Sequence, residues 1–108
     1  MASQRQSTTS KPVSVVIKKS TKPEKKMMAI FTLDNEKTRT VHFGQADAPD
    51  YTITKNKEQR ARYIARHRKN ENWNSPLTAG SLAKHILWGA FTSKEKNISA
   101  FKRKFKLK

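Results

Sequence analysis

Between Val13 and Phe43, side chains that share one face of an extended chain recur at every second position; beyond Thr54 the recurrence lengthens to three and four. That change of period constrains the fold most, because it places strands first and helices afterwards. In a first strand, Val13, Val15 and Ile17 share one face and Ser14, Val16 and Lys18 the other. The polar stretch Ser20 to Lys26, with Pro23 inside it, turns the chain. A second strand alternates Met27, Ala29, Phe31 and Leu33 against Met28, Ile30 and Thr32. Asp34-Asn35-Glu36-Lys37 is a hairpin turn, and Thr38 to Phe43 form a third strand with Arg39, Val41 and Phe43 on one side, ended by Gly44. Short polar connections keep consecutive strands adjacent, so the expected sheet is an antiparallel meander.

Residues 45–54 read as a loop carrying Asp47 and Asp50, with Thr54 capping a helix from about Lys55 to Lys69. On a helical wheel Tyr63, Ile64 and His67 fall in one sector with Ala61 near them, and Lys55, Arg62, Arg66 and Lys69 fall on the opposite side. The polar segment Asn70 to Pro76 breaks this helix. Thr78 or Ser81 caps a short apolar helix holding Leu82, Ala83, Ile86, Leu87 and Trp88, which stops at Gly89. Ser93 caps a last helix with Ile98, Phe101 and Phe105 at spacings of three and four. The expected fold is therefore α+β: a three-stranded antiparallel β-meander followed by two or three helices packed on one face of the sheet. Residues 1–11 read as a flexible basic arm, residues 12–106 as a single small domain and residues 107–108 as a basic tail end.

Charge supplies the functional direction. The chain of 108 residues has a formal net charge of +16, and its distribution is uneven. Residues 27–54 are net acidic, with Asp34, Glu36, Asp47 and Asp50 against Lys37 and Arg39, whereas the segments on either side are strongly basic. A small body this positive repels itself, so an anionic partner is expected. Cysteine is absent, which excludes disulfides, thiolate ligands and a Cys nucleophile. No apolar run reaches the length of a membrane span, and the N-terminal residues lack the apolar core of a secretory signal, so the expectation is a protein that is neither membrane-spanning nor secreted.

Two basic runs are the expected contact surfaces. Lys55, Arg62, Arg66 and Lys69 would stand in one line along a helix, suited to a phosphate backbone, with guanidinium forks and ammonium point charges as donors. An ordinary solvated helix face has the same composition. Lys102, Arg103, Lys104 and Lys106, interleaved with Phe105 and Leu107, would grip nucleic acid, act as a nuclear-import signal or lie on an anionic membrane. The membrane reading is the weakest, because Phe101 and Phe105 serve the core. Arg60 and Arg68 sit nearer the apolar sector, where they pair with Asp47, Asp50 or Glu71 or lie over aromatic rings. Trp88 is expected in the core, and Trp73 in a polar loop that folds back over the helix. His42, His67 and His85 lack metal-ligand spacing, no carboxylate cluster accompanies them, and no phosphate-cradling glycine motif is present. Neither a cofactor nor catalysis is expected. Asn97-Ile98-Ser99 matches a glycosylation triplet by chance.

His42-Phe43-Gly44 with Asp50-Tyr51-Thr52-Ile53, and the run Arg62 to Trp73 continuing through Pro76, Thr78-Ala79-Gly80 and Ile86-Leu87-Trp88, carry a resemblance over roughly residues 13–106. The chain resembles a family of small, basic, uncharacterised proteins encoded by large double-stranded DNA viruses of algae and amoebae. The resemblance implies context rather than chemistry: a viral product in host cytoplasm or nucleus, or packaged in the virion. The expected function is a non-enzymatic, sequence-nonspecific nucleic-acid-binding protein, for DNA ahead of RNA, acting as an accessory or genome-packaging factor. The alternative is a minor capsid or internal virion protein whose cations meet acidic surfaces of other subunits. A regulator docking through its apolar helices is a third reading.

Overall fold

The computed structural model describes residues 11–69 and 71–108. The expected arm therefore lies outside the described residues except for Lys11, whose carbonyl accepts a hydrogen bond from the Asp34 N–H. Strands β1 (Pro12–Lys19), β2 (Lys25–Leu33) and β3 (Thr38–Gln45) form an antiparallel sheet in the order β1-β2-β3. The register aligns Ile17 with Ala29 and Ala29 with Val41, and places Met27 opposite Phe43. Because side chains alternate, this register puts Val15, Ala29, Phe31 and Phe43 on one buried face, while Val16 on the other face is exposed. The β2–β3 turn closes through Leu33 and Lys37, with Glu36 at φ 71.

β3 does not stop at Gly44 but continues to Gln45. Gly44 stands at φ +80, and a β-carbon there would come within 2.6 Å of Leu87 Cδ1. Its missing side chain thus permits both the left-handed backbone and the close approach of the helical layer.

Helices α1 (Tyr51–Thr54), α2 (Lys57–His67), α3 (Ala79–Leu82) and α4 (Lys94–Phe105) follow, and a π-helical turn, Ala83–Leu87, extends α3. The single helix expected from Lys55 to Lys69 is split. Asp50 accepts from the Thr52 N–H and caps α1, Lys55 leaves the helix at φ 55, and Asn56 caps α2 by accepting from the Gln59 N–H. Thr54 caps nothing; its hydroxyl donates to Gln59 Oε1. Two strong caps six residues apart outweigh continuous helix propensity. Of the two expected caps for the third helix, Thr78 is the one used, accepting from the Ser81 N–H. Ser81 is buried within α3, its hydroxyl without a partner among the described residues. Ser93 caps α4 as expected.

The core joins the inner sheet face to Leu82, Ile86, Leu87, Trp88 and Phe101 from the helical layer, with Ile64, Ile98 and Phe105 packed around it. Ala61, expected near the apolar sector of α2, is exposed. Residues 107–108, read as a tail end, run back along β1. Leu107 is buried, and the Lys108 backbone exchanges hydrogen bonds with Val13 and Val15. Lys106 makes this reversal in the left-handed conformation, its N–H bonded to the last carbonyls of α4.

Candidate nucleic-acid interface

The four-residue basic line expected on one helix is shorter than the sequence suggests. Lys55 precedes α2 in a left-handed linker, and Lys69 lies past the helix end; both are exposed. Arg62 and Arg66 remain, one turn apart on α2 and exposed. They do not stand opposite the apolar sector. Arg62, Tyr63, Arg66 and His67 line the same hollow, of about 680 Å³, between α2, α3 and the β2–β3 end of the sheet. Residue pairs 62/66 and 63/67 form adjacent lines on the helix cylinder, so one concave wall receives both.

The floor and walls of this hollow hold several polar connections. Lys26 donates to Asp50, which is 1% exposed and also accepts from the Thr52 N–H and hydroxyl. Such a pair is held by geometry and by the extra donors that satisfy the carboxylate, since burial opposes both charges. Sequence reasoning placed Asp50 in an acidic loop and gave Lys26 to a turn; its one usable signal was a carboxylate immediately before a capped turn. On the opposite wall Trp88, Tyr63 and His67 form a stack, with ring centroids 4.3 Å apart for the first pair and 4.2 Å for the second. His67 Nδ1 is hydrogen-bonded to Glu71 Oε2 at 2.9 Å, and Trp73 Nε1 donates to Glu71 Oε1 at 2.8 Å. Trp73 thus folds back toward the helix, as expected, with Glu71 as the connecting group. The Tyr63 hydroxyl is pushed up to about 12 by burial and, secondarily, by the Glu71 carboxylate, against a pull from Arg66.

Arg60 lies over the Tyr51 ring, 5.6 Å from its centroid, and its Nε donates to the carbonyls of Trp88 and Gly89. Of the two expected placements, the position over an aromatic ring is the one taken, and backbone carbonyls rather than carboxylates accept from the guanidinium. Arg68 and Asp47 form no ion pair among the described residues.

The C-terminal cations divide. Lys102, Arg103 and Lys104 occupy the last turn of α4, where they complement its dipole, and Lys106 follows in the reversal. Arg103 borders a separate hollow of about 260 Å³ with Phe91, Lys96 and Ser99. The Lys104 ammonium lies 5.5 Å from the Phe105 ring centroid and near Lys84 and His85. Burial lowers the Lys84 pKa, and the neighbouring cations Arg60 and Lys104 lower it further. Burial also lowers His85, opposed by its hydrogen bond to the Trp73 carbonyl at 2.9 Å. The Lys84 ammonium stands 5.1 Å from the Trp73 ring centroid. Arg60, Lys84 and Lys104 therefore bring positive charge together from α2, the π turn and α4.

Among the described residues, Lys26 is the only lysine or arginine within ion-pair distance of a carboxylate. The excess charge is thus not cancelled by ion pairs among these residues. Among these residues no helix is long and apolar enough to cross a membrane.

Residues 15–67 match the profile of a family of unknown function (DUF5754), a span that begins within β1 and covers β2, β3, α1 and α2. The chain is similar to that family over this part, which includes Lys26, Asp50, Arg62 and Arg66 and ends before α3 and α4. No curated protein and no solved structure gives a match.

Proposed function

We propose that this protein binds nucleic acid without catalysis, through electrostatic contact with the phosphate backbone and without sequence preference. DNA is the favoured partner, and the proposed setting is that of an accessory or packaging protein on a viral genome. The observation that carries this reading is the unpaired charge. Of the lysines and arginines among the described residues, all but Lys26 lack a carboxylate within ion-pair distance. Cations left unpaired in the free protein lose few internal contacts when they meet phosphates, and the release of condensed counterions then drives association. Arg62 and Arg66, exposed and one turn apart, are the leading contacts, with Lys55, Lys69 and the α4 cations extending the surface.

The test is a salt titration of the full chain with a fluorescent duplex, read by anisotropy. If about five phosphates are neutralised, log Kobs falls against log salt with a slope of about −4 to −5. Replacing both Arg62 and Arg66 with Ala should make the slope shallower by about 2, since each phosphate contact contributes about 0.9. An unchanged slope in the double variant rejects these arginines as contacts. Absence of duplex binding at about 50 mM salt, together with binding to acidic virion proteins, would select the structural alternative instead.

A further inference from the structure

We infer that the hollow beside α2 accepts one unstacked nucleotide of a strand, its phosphate held by Arg62, Arg66 and Lys26 and its base laid against His67. This rests on the nucleic-acid reading and narrows it. The hollow, about 680 Å³, falls within the range of roughly 300–1,000 Å³ usual for small-ligand sites. Phosphates of an intact duplex meet only the rim of such a concavity, whereas a nucleotide released from its stack can enter it.

The donors are suitably placed. The Lys26 side chain is 13% exposed and lines the hollow, yet among the described residues only one of its three N–H groups has an acceptor, on Asp50. Two carboxylates of the lining are already engaged: Asp50 by Lys26 and Thr52, and Glu71 by His67 and Trp73. They fix the cationic groups and the ring without competing freely for phosphate. Glu24 is the remaining lining carboxylate, at the exposed rim, and opposes the anion. The stacked rings supply the second element. One face of His67 rests on Tyr63, but its side chain is 38% exposed, so a base can continue the series begun by Trp88 and Tyr63.

The experiment compares the full chain with two variants, using a 12-nucleotide single strand, an abasic strand of equal length and a 12-base-pair duplex at one salt concentration. H67N removes the ring and retains an amide able to reach Glu71. A79L adds bulk at an exposed lining position on α3 without changing charge. The single strand should bind the unchanged protein more tightly than either the abasic strand or the duplex. Each substitution should weaken single-strand binding roughly tenfold, the scale of one stacked base, and leave duplex binding unaltered. If A79L preserves the single-strand affinity, or if the abasic strand binds equally well, the inference fails and the electrostatic reading stands. If neither strand nor duplex binds at about 50 mM salt, the underlying reading fails as well.

Discussion

Replacing Asn97 with Ala should loosen the entire helical layer. Asn97 is 1% exposed, its Nδ2 donates to the carbonyls of Ile86 and Phe91 at 2.8 Å each, and its Oδ1 accepts from the Phe91 N–H at 3.0 Å. One side chain thus joins the π turn, the connection beyond Gly89 and α4. Ile86 is fully buried, so its carbonyl would lose this partner with no route to bulk water, at a cost of about 1–3 kcal/mol. Phe91 is 45% exposed, so its two backbone groups regain water and cost about 0.5–1.5 kcal/mol each. The total is about 4 kcal/mol, a substantial part of the roughly 5–15 kcal/mol of a small domain. The melting temperature should fall by about 16 °C or more. N97D sharpens the test: it keeps the acceptor for Phe91 but turns a second carboxylate oxygen toward two carbonyls. Burial there raises the folded carboxyl above its unfolded value of about 3.9, so the folded state holds the proton longer. Stability of N97D should therefore fall as pH rises through about 4, and its deficit relative to N97A should shrink on acidification. Urea unfolding followed by tryptophan fluorescence at pH 7 and pH 4 measures both effects. A loss below 1 kcal/mol in N97A, or a gap from N97D that ignores pH, would refute the reasoning.

Two ionisable groups give further tests. Burial lowers His85, so the unfolded chain takes up a proton first as pH falls below about 6.5, and stability should decline there. H85Q, which retains a donor for the Trp73 carbonyl, should flatten that decline in denaturant titrations between pH 7.5 and 5; an undiminished slope would exonerate His85. Tyr63 is pushed up to about 12, so the folded protein keeps a proton that the unfolded chain releases near 10. Stability from this group is complete below about pH 10 and is lost as pH rises toward 12. Absorbance at alkaline pH should show a late-ionising tyrosine that is absent in Y63F, and ionisation of Tyr63 near 10 would contradict its burial.

The alternation of Val15, Ile17, Ala29, Phe31 and Phe43 was sufficient to read the meander, because a half-buried strand repeats every two residues and a slip of one would expose the whole set. Ser93 was legible as a cap for the same local reason, and Thr78 as one of two candidates beside Ser81. The split between α1 and α2 was not legible, since Lys55 adopts a left-handed conformation that its residue type does not favour. Nor were the Lys26–Asp50 and His67–Glu71–Trp73 connections. The first spans two segments 24 residues apart and depends on the tertiary fold rather than on any spacing in the chain. Of the candidate site, Arg62 and Arg66 were singled out by helical spacing, but the hollow they line is formed with β2, β3 and α3 and leaves no periodic trace.

The unpaired cations have a consequence for the free protein that is separate from binding. Like charges at this density repel, and salt screens them over about 10 Å at 0.1 M. Added salt should therefore raise the melting temperature of the free chain while it weakens duplex binding, two opposite responses arising from one set of side chains. Saturating duplex at low salt should replace the effect of added salt, because a ligand that binds only the folded state stabilises it by mass action. Calorimetry at low and moderate salt, with and without duplex, separates these contributions. A free protein whose melting temperature ignores salt would show that its positive groups are spaced too widely to repel. The surface would then have no electrostatic strain for a polyanion to relieve, and binding would have to draw on the aromatic hollow instead.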